Sequence, residues 1–583
     1  MTFLSAAPER LRCKPLAACI AALCGLSASN ALAVGNTWNV TACGDTGPGT
    51  LRATISTPTT LSGDIVSLDM LDSLACSTIT LAADHTSITI LQNDLTIKKS
   101  GTPVTIDASA LPSGETNTDD SRIFTHKGTS TLRIQNVNLT GGHVYHLNVE
   151  ARGGCVRSSG TIELTDSVVS ACSATSKAAA GGKFAFGGAL DSPQGITLTN
   201  STVAGSSATS ANFRAYGGGI HAQGTVTLTN STVSGNSLTA AVFSSGGGIS
   251  SDNLIATHAV ISNNYSKAFV VYGGGTAGAS IQLNYSSVTG NTAKSLDGAW
   301  GGGIYSTDVI AHYSTISGNS LLGSSGYGAG GAIYAKGDVE LRKSTIANNY
   351  SSAAIGGIAS LFLSGANTNQ FYMIASTVTG NVAASIGGGI ATNAAQTKLY
   401  NSTVAFNRAT DAFAHGSAYA PGLILNSLIG PMAVTLSSNL LSNNSYGAGI
   451  EFDLSTANSA PPHAITFNAG AANNFIRTFV VGDPPASQLP GDTLSGACPL
   501  LGPLRDNGGT TLTHALLSGS VAIDHGDNAR GLLQDQRGLE AAPMPYPYPR
   551  VSNLVADIGA YEVNHADIVF NGGFDGCPAL PGG

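Results

Sequence analysis

One short phrase recurs through the middle of this chain. It reads Asn200-Ser-Thr-Val203-Ala-Gly205, then Asn230-Ser-Thr-Val233-Ser-Gly-Asn236. Later copies run Tyr285-Ser-Ser-Val288-Thr-Gly-Asn291, Tyr313-Ser-Thr-Ile316-Ser-Gly-Asn319, Lys343-Ser-Thr-Ile346-Ala-Asn-Asn349, Ala375-Ser-Thr-Val378-Thr-Gly-Asn381 and Asn401-Ser-Thr-Val404-Ala-Phe-Asn407. The aligned serines are 201, 231, 286, 314, 344, 376 and 402, with Ala259 in the remaining gap, so the spacings are 30, 28, 27, 28, 30, 32 and 26. A repeat of this length is one supersecondary unit that cannot bury its own apolar face and must stack on its neighbours.

Each repeat carries a second landmark, a glycine run before an aliphatic residue: Gly217 to Ile220, Gly246 to Ile249, Gly301 to Ile304, Gly330 to Ile333 and Gly387 to Ile390. Between the landmarks lie alternating segments such as Val226-Thr-Leu228-Thr229, the period-two signal of strands. The alternation slips by one residue at Asn230, since Val226 and Leu228 share one parity and Ser231 and Val233 the other. Such a slip needs a corner in the left-handed region, which Asn tolerates. The same slip falls at Asn200, His258, Tyr285, Tyr313, Lys343, Ala375 and Asn401.

Several short strands per repeat, joined by corners around one interior and paired in parallel with the next coil, make a right-handed, single-stranded parallel β-helix, all-β and of the pectin-lyase-like kind. The hand follows from the general rule for parallel crossovers. Ten coils would extend roughly 48 Å at the strand spacing. Like residues then form columns. Val and Ile fill the core, Thr202, Thr232, Thr315, Thr345, Thr377 and Thr403 line an outer face, and Asn236, Asn291, Asn319, Asn349, Asn381 and Asn407 are placed to form an amide ladder.

Charged residues are 10% of the chain and the net charge is -8, against about 25% charged in an ordinary domain. No basic patch follows the N-terminus, which excludes a nucleic-acid partner. Arg10, Arg12 and Lys14, the apolar stretch Pro15 to Leu26 and Ala31-Leu-Ala33 read as a cleaved signal peptide, residues 1–33, with a mature start at Val34. Leu16-Ala-Ala-Cys19 follows Lys14 too closely to be a lipoprotein box. No later segment has the about 18 apolar residues of a membrane span. The remaining organisation reads as an N-terminal cap with first coils (34–150), regular coils (151–430), irregular last coils (431–497), a C-terminal block (498–563) and a tail (564–583).

Cys43, Cys76, Cys155, Cys172, Cys498 and Cys577 survive cleavage. An even count in an exported chain points to disulfides. Cys43 with Cys76 would staple the first coils, and Cys498 with Cys577 the C-terminal region. Cys155 and Cys172 fall on different edges of one coil and are not expected to pair.

The Gly-Gly-Gly-Ile and Val-Ser-Gly-Asn landmarks resemble the GGA[I/L/V] and FxxN repeats of polymorphic outer-membrane protein passengers, with Val or Ile usually in place of Phe. The C-terminal run Pro499 to Thr510, His514-Ala-Leu-Leu, Ala522-Ile-Asp524-His-Gly-Asp527, Asp535-Gln-Arg537-Gly538 and Ala556-Asp557-Ile-Gly559-Ala-Tyr561-Glu562 resembles the choice-of-anchor Q domain family of exported bacterial proteins. The stretch from Thr41-Ala-Cys43 to Arg52, followed by Cys76-Ser-Thr-Ile-Thr80, resembles the start of those proteins. This resemblance implies an exported β-helix at the surface of a Gram-negative cell or released from it, and no known chemistry.

Three groups of side chains are candidates for function. Outward strand positions hold Thr199, Thr229, Asn284, His312 and Arg342 with no acid beside them in sequence. Asp308 and Asp338 take equivalent places in adjacent coils, as a shared cation site or as turn residues. Asp524, His525, Asp527, Asp535, Arg537, Asp557 and Glu562 are the densest acid/base group, as a metal or hydrolytic site or as an ionic network closing the end of the solenoid. Phe186, Tyr216, Tyr272 and Trp300 each precede a glycine run, as a sugar-binding platform or a packing ladder. No cofactor is expected. The function expected is adhesion or glycan binding without catalysis; the rivals are a polysaccharide lyase or hydrolase and a structural spacer.

Overall fold

The computed structural model describes residues 35–564, apart from 83–85, 112–118, 178–181, 324–325, 363–367, 411–418, 448, 458–462, 469–471, 481–488, 490–491, 541, 543 and 553–554. The expected signal peptide, most of the tail and Cys577 lie outside the described residues.

The coil around residue 230 shows the plan. Ile220–Ala222 and Thr225–Thr229 lie on a first face, Thr232–Ser234 on a second, and Ser237–Ala240 and Phe243–Ser245 on a third. Each strand pairs in parallel with its counterpart one coil on: Thr225–Thr229 with Asn253–Thr257, and Thr232–Ser234 with Val260–Ser262. The second face stacks 14 strands, about 60 Å at the strand spacing, so the solenoid is longer than ten coils. Stacking begins at Thr37–Asn39 and runs to Phe479–Val480 on the first face. Residues 34–150 and 431–497 therefore contribute coils as well.

The recurrent phrase now has a physical reading. All eight residues at the parity slip have positive φ, from 43° at Ala375 to 52° at Tyr313. The serine after the corner is buried; Ser231 Oγ donates to Thr229 O at 2.8 Å and accepts the Ser201 N–H at 3.1 Å. The Thr faces out and the Val faces the core. At the next corner the Asn ladder is formed. Asn319 Oδ1 accepts both the backbone N–H and the Nδ2 of Asn291, while its own Nδ2 donates to Asn349 Oδ1 and Val288 O. Asn264 and Asn444 belong to it too, although their flanking sequence hides them, and it ends on Asp453 Oδ1. Burial and the neighbouring Glu451 push the Asp453 carboxyl up to about 7, against the four donors it accepts.

The core's open N-terminal end is covered by a short helix, Leu51–Ser56, capped by Thr50 and burying Leu51 and Ile55. Cys43 and Cys76 are bonded there, Cα to Cα 5.9 Å. Cys155 and Cys172 are bonded too, Cα to Cα 5.5 Å, contrary to the sequence expectation. The reason lies in the narrow interior. Cys155 holds the column of Gly219 and Gly248, and Cys172 that of Asn236 and Asn264. These columns face each other: a Cβ on Gly219 would come within 2.8 Å of the Asn236 amide. The disulfide occupies the first place of the same glycine–asparagine pairing. Cys498 is also disulfide-bonded.

The C-terminal block does not close the solenoid's end. It lies along the second face over several coils, and the threonines there are its seat. Gln536 Oε1 accepts from Thr377, Gln536 Nε2 donates to Thr345, and Ala560 N donates to Thr403. Lys343, 1% exposed, donates to Gln534 O and Gly538 O. Leu440 and Phe475 pack on Leu501, Leu516, Ile558 and Tyr561 in a second small core. Among the described residues no helix is long and apolar enough to cross a membrane.

Candidate functional site

The glycine corner shapes an aromatic surface. The first glycine takes positive φ, +65° at Gly217. The second lies so close to the next coil that a Cβ on Gly218 would sit 2.0 Å from Gly247 O. A corner without side chains lets the outward residues on its two sides lean together, and their rings form one band along the solenoid with two walls in contact.

One wall is the expected column. Phe186 registers with Tyr216, Tyr272 with Trp300. Phe186 stacks on Tyr216 at 5.4 Å and 13°, and Trp300 meets Tyr272 edge-on at 5.4 Å. Between them Ser245 takes the column position, and Phe243 bridges the break, 5.8 Å from Tyr216 and 4.8 Å from Tyr272. The sequence reading missed the opposite wall, which follows the glycines: Asp191, His221, Ser250, Ala277, Tyr305 and Tyr334 in successive coils. Tyr305 stacks on Tyr272 at 4.2 Å and 13°, and on Tyr334 at 5.7 Å and 6°. Beyond them the walls pass into a buried apolar cluster of Ile355, Ala359, Ala391 and Ile424.

Burial raises the Tyr272 and Tyr305 hydroxyls above the ordinary tyrosine range and pushes Tyr334 up to about 12, so all three stay neutral donors at physiological pH. At the N-terminal end Arg152 lies 3.8 Å over the Phe186 ring and pairs with Glu150 at 2.9 Å. His221 Nδ1 is 2.7 Å from Asp191 Oδ1, and its ring is 4.6 Å from that of Phe186.

The other candidates fall elsewhere. Asp308 and Asp338 do sit in adjacent coils, yet Asp308 Oδ1 accepts the Asp338 N–H at 2.8 Å and Asp338 Oδ1 accepts the Gln370 N–H at 2.9 Å. These are backbone-capping roles. They line a cleft of about 470 Å³ with Glu340, Arg342, Tyr372 and Arg530. An acid does stand beside the outward basic residues: Glu340 Oε1 is 3.0 Å from His312 Nε2 and 3.8 Å from Arg342. It lies two residues before Arg342 on one strand, so alternation puts both on the same side. The hydrogen bond from His312 holds the Glu340 carboxyl below the usual range despite partial burial, which suits an ion pair and not a proton donor.

The acid/base residues of the C-terminal block turn inward. Arg537 is sandwiched between Tyr548 and Tyr561, at 4.4 and 3.9 Å, and pairs with Asp535 at 2.8 Å. Asp557 accepts the N–H groups of Asp524 and Val563, and Glu562 those of Ser552 and Asp557. Arg550, fully buried, approaches Glu562 at 4.0 Å. Burial pushes Glu562 up to about 8. His525 and Asp527 lie at the network's edge. Among the described residues no three His, Cys, Asp or Glu are grouped to hold a metal ion.

A second aromatic stack, also unread in the sequence, stands on the left-handed corners: His258 on Tyr285 at 5.1 Å and 7°, and Tyr285 on Tyr313 at 4.7 Å and 5°. No protein-family model, no curated protein and no solved structure matches the chain.

Proposed function

We propose that the protein is an exported β-helix, displayed on the cell surface or released, that binds extended glycans without cutting their chains. The observation that carries this reading is the aromatic band: half-buried rings of Tyr216, Tyr272, Trp300 and Tyr305, in contact along the solenoid. Sugar rings present apolar C–H faces, and aromatic faces bury them without charge. Rings recurring at the coil spacing of about 4.8 Å suit a polymer of repeated units. The tyrosine hydroxyls supply donors at the edges. The disulfides support an oxidising compartment and therefore export.

The test is titration of the exported protein with neutral and acidic oligosaccharides from an array. Trp300→Ala is expected to weaken binding at least about tenfold, a loss of 1.4 kcal/mol or more by the usual conversion, and Asp308→Asn to leave it unchanged. Acidic polysaccharides are expected to release no reducing or unsaturated ends, because Asp308 and Asp338 are committed to backbone N–H groups. Binding that is lost with Asp308→Asn and kept with Trp300→Ala would overturn the reading.

A further inference from the structure

The in-register rings fail on both walls of the aromatic band in one coil. Ser245 stands in register between Tyr216 and Tyr272, and Ser250 stands in register with His221. The result is a pair of small hydroxyl side chains beside His221, with the Phe243 ring spanning from Tyr216 to Tyr272. His221 registers in turn with Asp191, so the outward positions of three consecutive coils read Asp, His, Ser. Parallel pairing places each about 4.8 Å from the next.

The first contact of that series is made. His221 Nδ1 and Asp191 Oδ1 are 2.7 Å apart, with the two side chains only 8% and 2% exposed. A carboxylate on Nδ1 fixes the ring's orientation and tautomer, leaving the lone pair on Nε2, and stabilises the imidazolium formed when Nε2 takes a proton. Arg152 Nη1, 3.5 Å from Asp191 Oδ2, steadies the carboxylate from the far side. In this structure His221 bonds to Asp191 and not to Ser250. Hydrogen bonds between a base and its nucleophile commonly tighten only once substrate is in place.

We propose that Ser250, His221 and Asp191 form an acyl-transfer site that removes small acyl esters, such as acetyl groups, from a glycan lying along the aromatic band. The substrate rests on the glycan-binding reading; the chemistry does not. Ser250 Oγ bonds to the ester carbonyl carbon as His221 Nε2 takes its proton. The tetrahedral intermediate collapses, the bond to the sugar oxygen breaks, and that oxygen leaves with the proton from Nε2. Water then adds to the acyl-serine with Nε2 again as base. The second collapse returns the proton to Ser250 Oγ and releases the carboxylic acid, so the atoms balance with water as co-reactant. Tyr216, Phe243 and Tyr272, the rings beside the serines, would hold the sugar rings.

The experiment uses the exported protein with a fluorophosphonate probe and with p-nitrophenyl acetate, neither of which needs the glycan. The expected result is covalent label on the Ser250 peptide and ester hydrolysis that Ser250→Ala abolishes. His221→Gln is expected to slow hydrolysis by at least about 100-fold. Asp308→Asn, away from this site, should keep the parent rate. Because neither probe needs the glycan, label and hydrolysis at Ser250 in a protein that binds no glycan would sink only the glycan-binding reading, which separates failure of this site from failure of that one. Folded protein, shown by its thermal transition, that takes no label at Ser250 or hydrolyses the ester equally well as Ser250→Ala overturns the proposal.

Discussion

At the scale of single residues, the solenoid is held by polar columns as much as by its apolar core. Asn319 is fully buried and makes four side-chain hydrogen bonds, each 2.9 or 3.0 Å. Replacing it with Leu strands two donors of Asn291, takes the amide partner from Val288 O, leaves the Asn349 oxygen with the Asn319 backbone N–H alone, and crowds the chain against Gly303, whose Cβ would already lie 3.0 Å from the amide. With about 1–3 kcal/mol for each buried group left unpaired, Asn319→Leu is expected to cost at least about 3 kcal/mol. A thermal transition unmoved by the change would mean that the ladder contributes nothing. Six rungs were legible because Asn ends the same short phrase each time. Asn264 and Asn444 follow Ile261-Ser-Asn263 and Leu441-Ser-Asn443, where the phrase has decayed while the side chain's task has not.

At the scale of elements, the C-terminal block was legible as a unit, but its seat was not. Sequence shows a dense ionic group, and an end-closing role was the simple guess. The structural signal lies in the solenoid: outward Thr gives way to Leu440 and Phe475, and a lysine stands at the corner of Lys343. The aromatic band was half legible for a related reason. The column before the glycines repeats as aromatic residues, whereas the column after them changes from Asp191 and His221 to Tyr305 and Tyr334. The seat includes a pH-sensitive contact. His514 Nδ1 donates to Gly502 O at 2.7 Å, and Nε2 lies 2.8 Å from Thr379 Oγ1, whose hydroxyl donates to it when the ring is neutral. Burial depresses its pKa to about 4, below the ordinary value of about 6.5. The unfolded or undocked chain therefore takes the proton first as pH falls. The contact's stabilisation is complete above about pH 6.5 and is lost between there and about pH 4. Hydrogen exchange in residues 500–516 should accelerate over that interval in the parent protein. The difference between the parent and His514→Gln, large at pH 7, should shrink toward pH 4. A constant difference would show that His514 does not carry the sensitivity.

At the scale of the whole molecule, each coil closes across its interior with one small residue facing one polar residue. Gly219 faces Asn236, Gly248 faces Asn264, and Gly303 faces Asn319, with would-be Cβ contacts of 2.8, 2.8 and 3.0 Å. Cys155 and Cys172 stand 17 residues apart, the separation of Gly219 and Asn236. Sequence register alone set them on different edges, because it counts positions along the coil and not distance across it. If the disulfide stands in for a ladder rung, the rung can be put back. In Cys155→Gly with Cys172→Asn, the new amide would donate to Ser206 Oγ, which now accepts the Cys172 N–H at 3.3 Å. Its oxygen would face Gly142 N–H, at the same place in the coil before. Opening a loop of this size without replacement is worth about 3 kcal/mol. Cys155→Ala with Cys172→Ala should therefore unfold at a markedly lower temperature than the parent, and the Gly/Asn pair should recover most of the loss. Cys172→Asn alone should be worse than the alanine pair, since Cys155 leaves the amide no room. If the Gly/Asn and Ala/Ala pairs melt together, the two columns are not interchangeable and the ladder does not extend past Ser206.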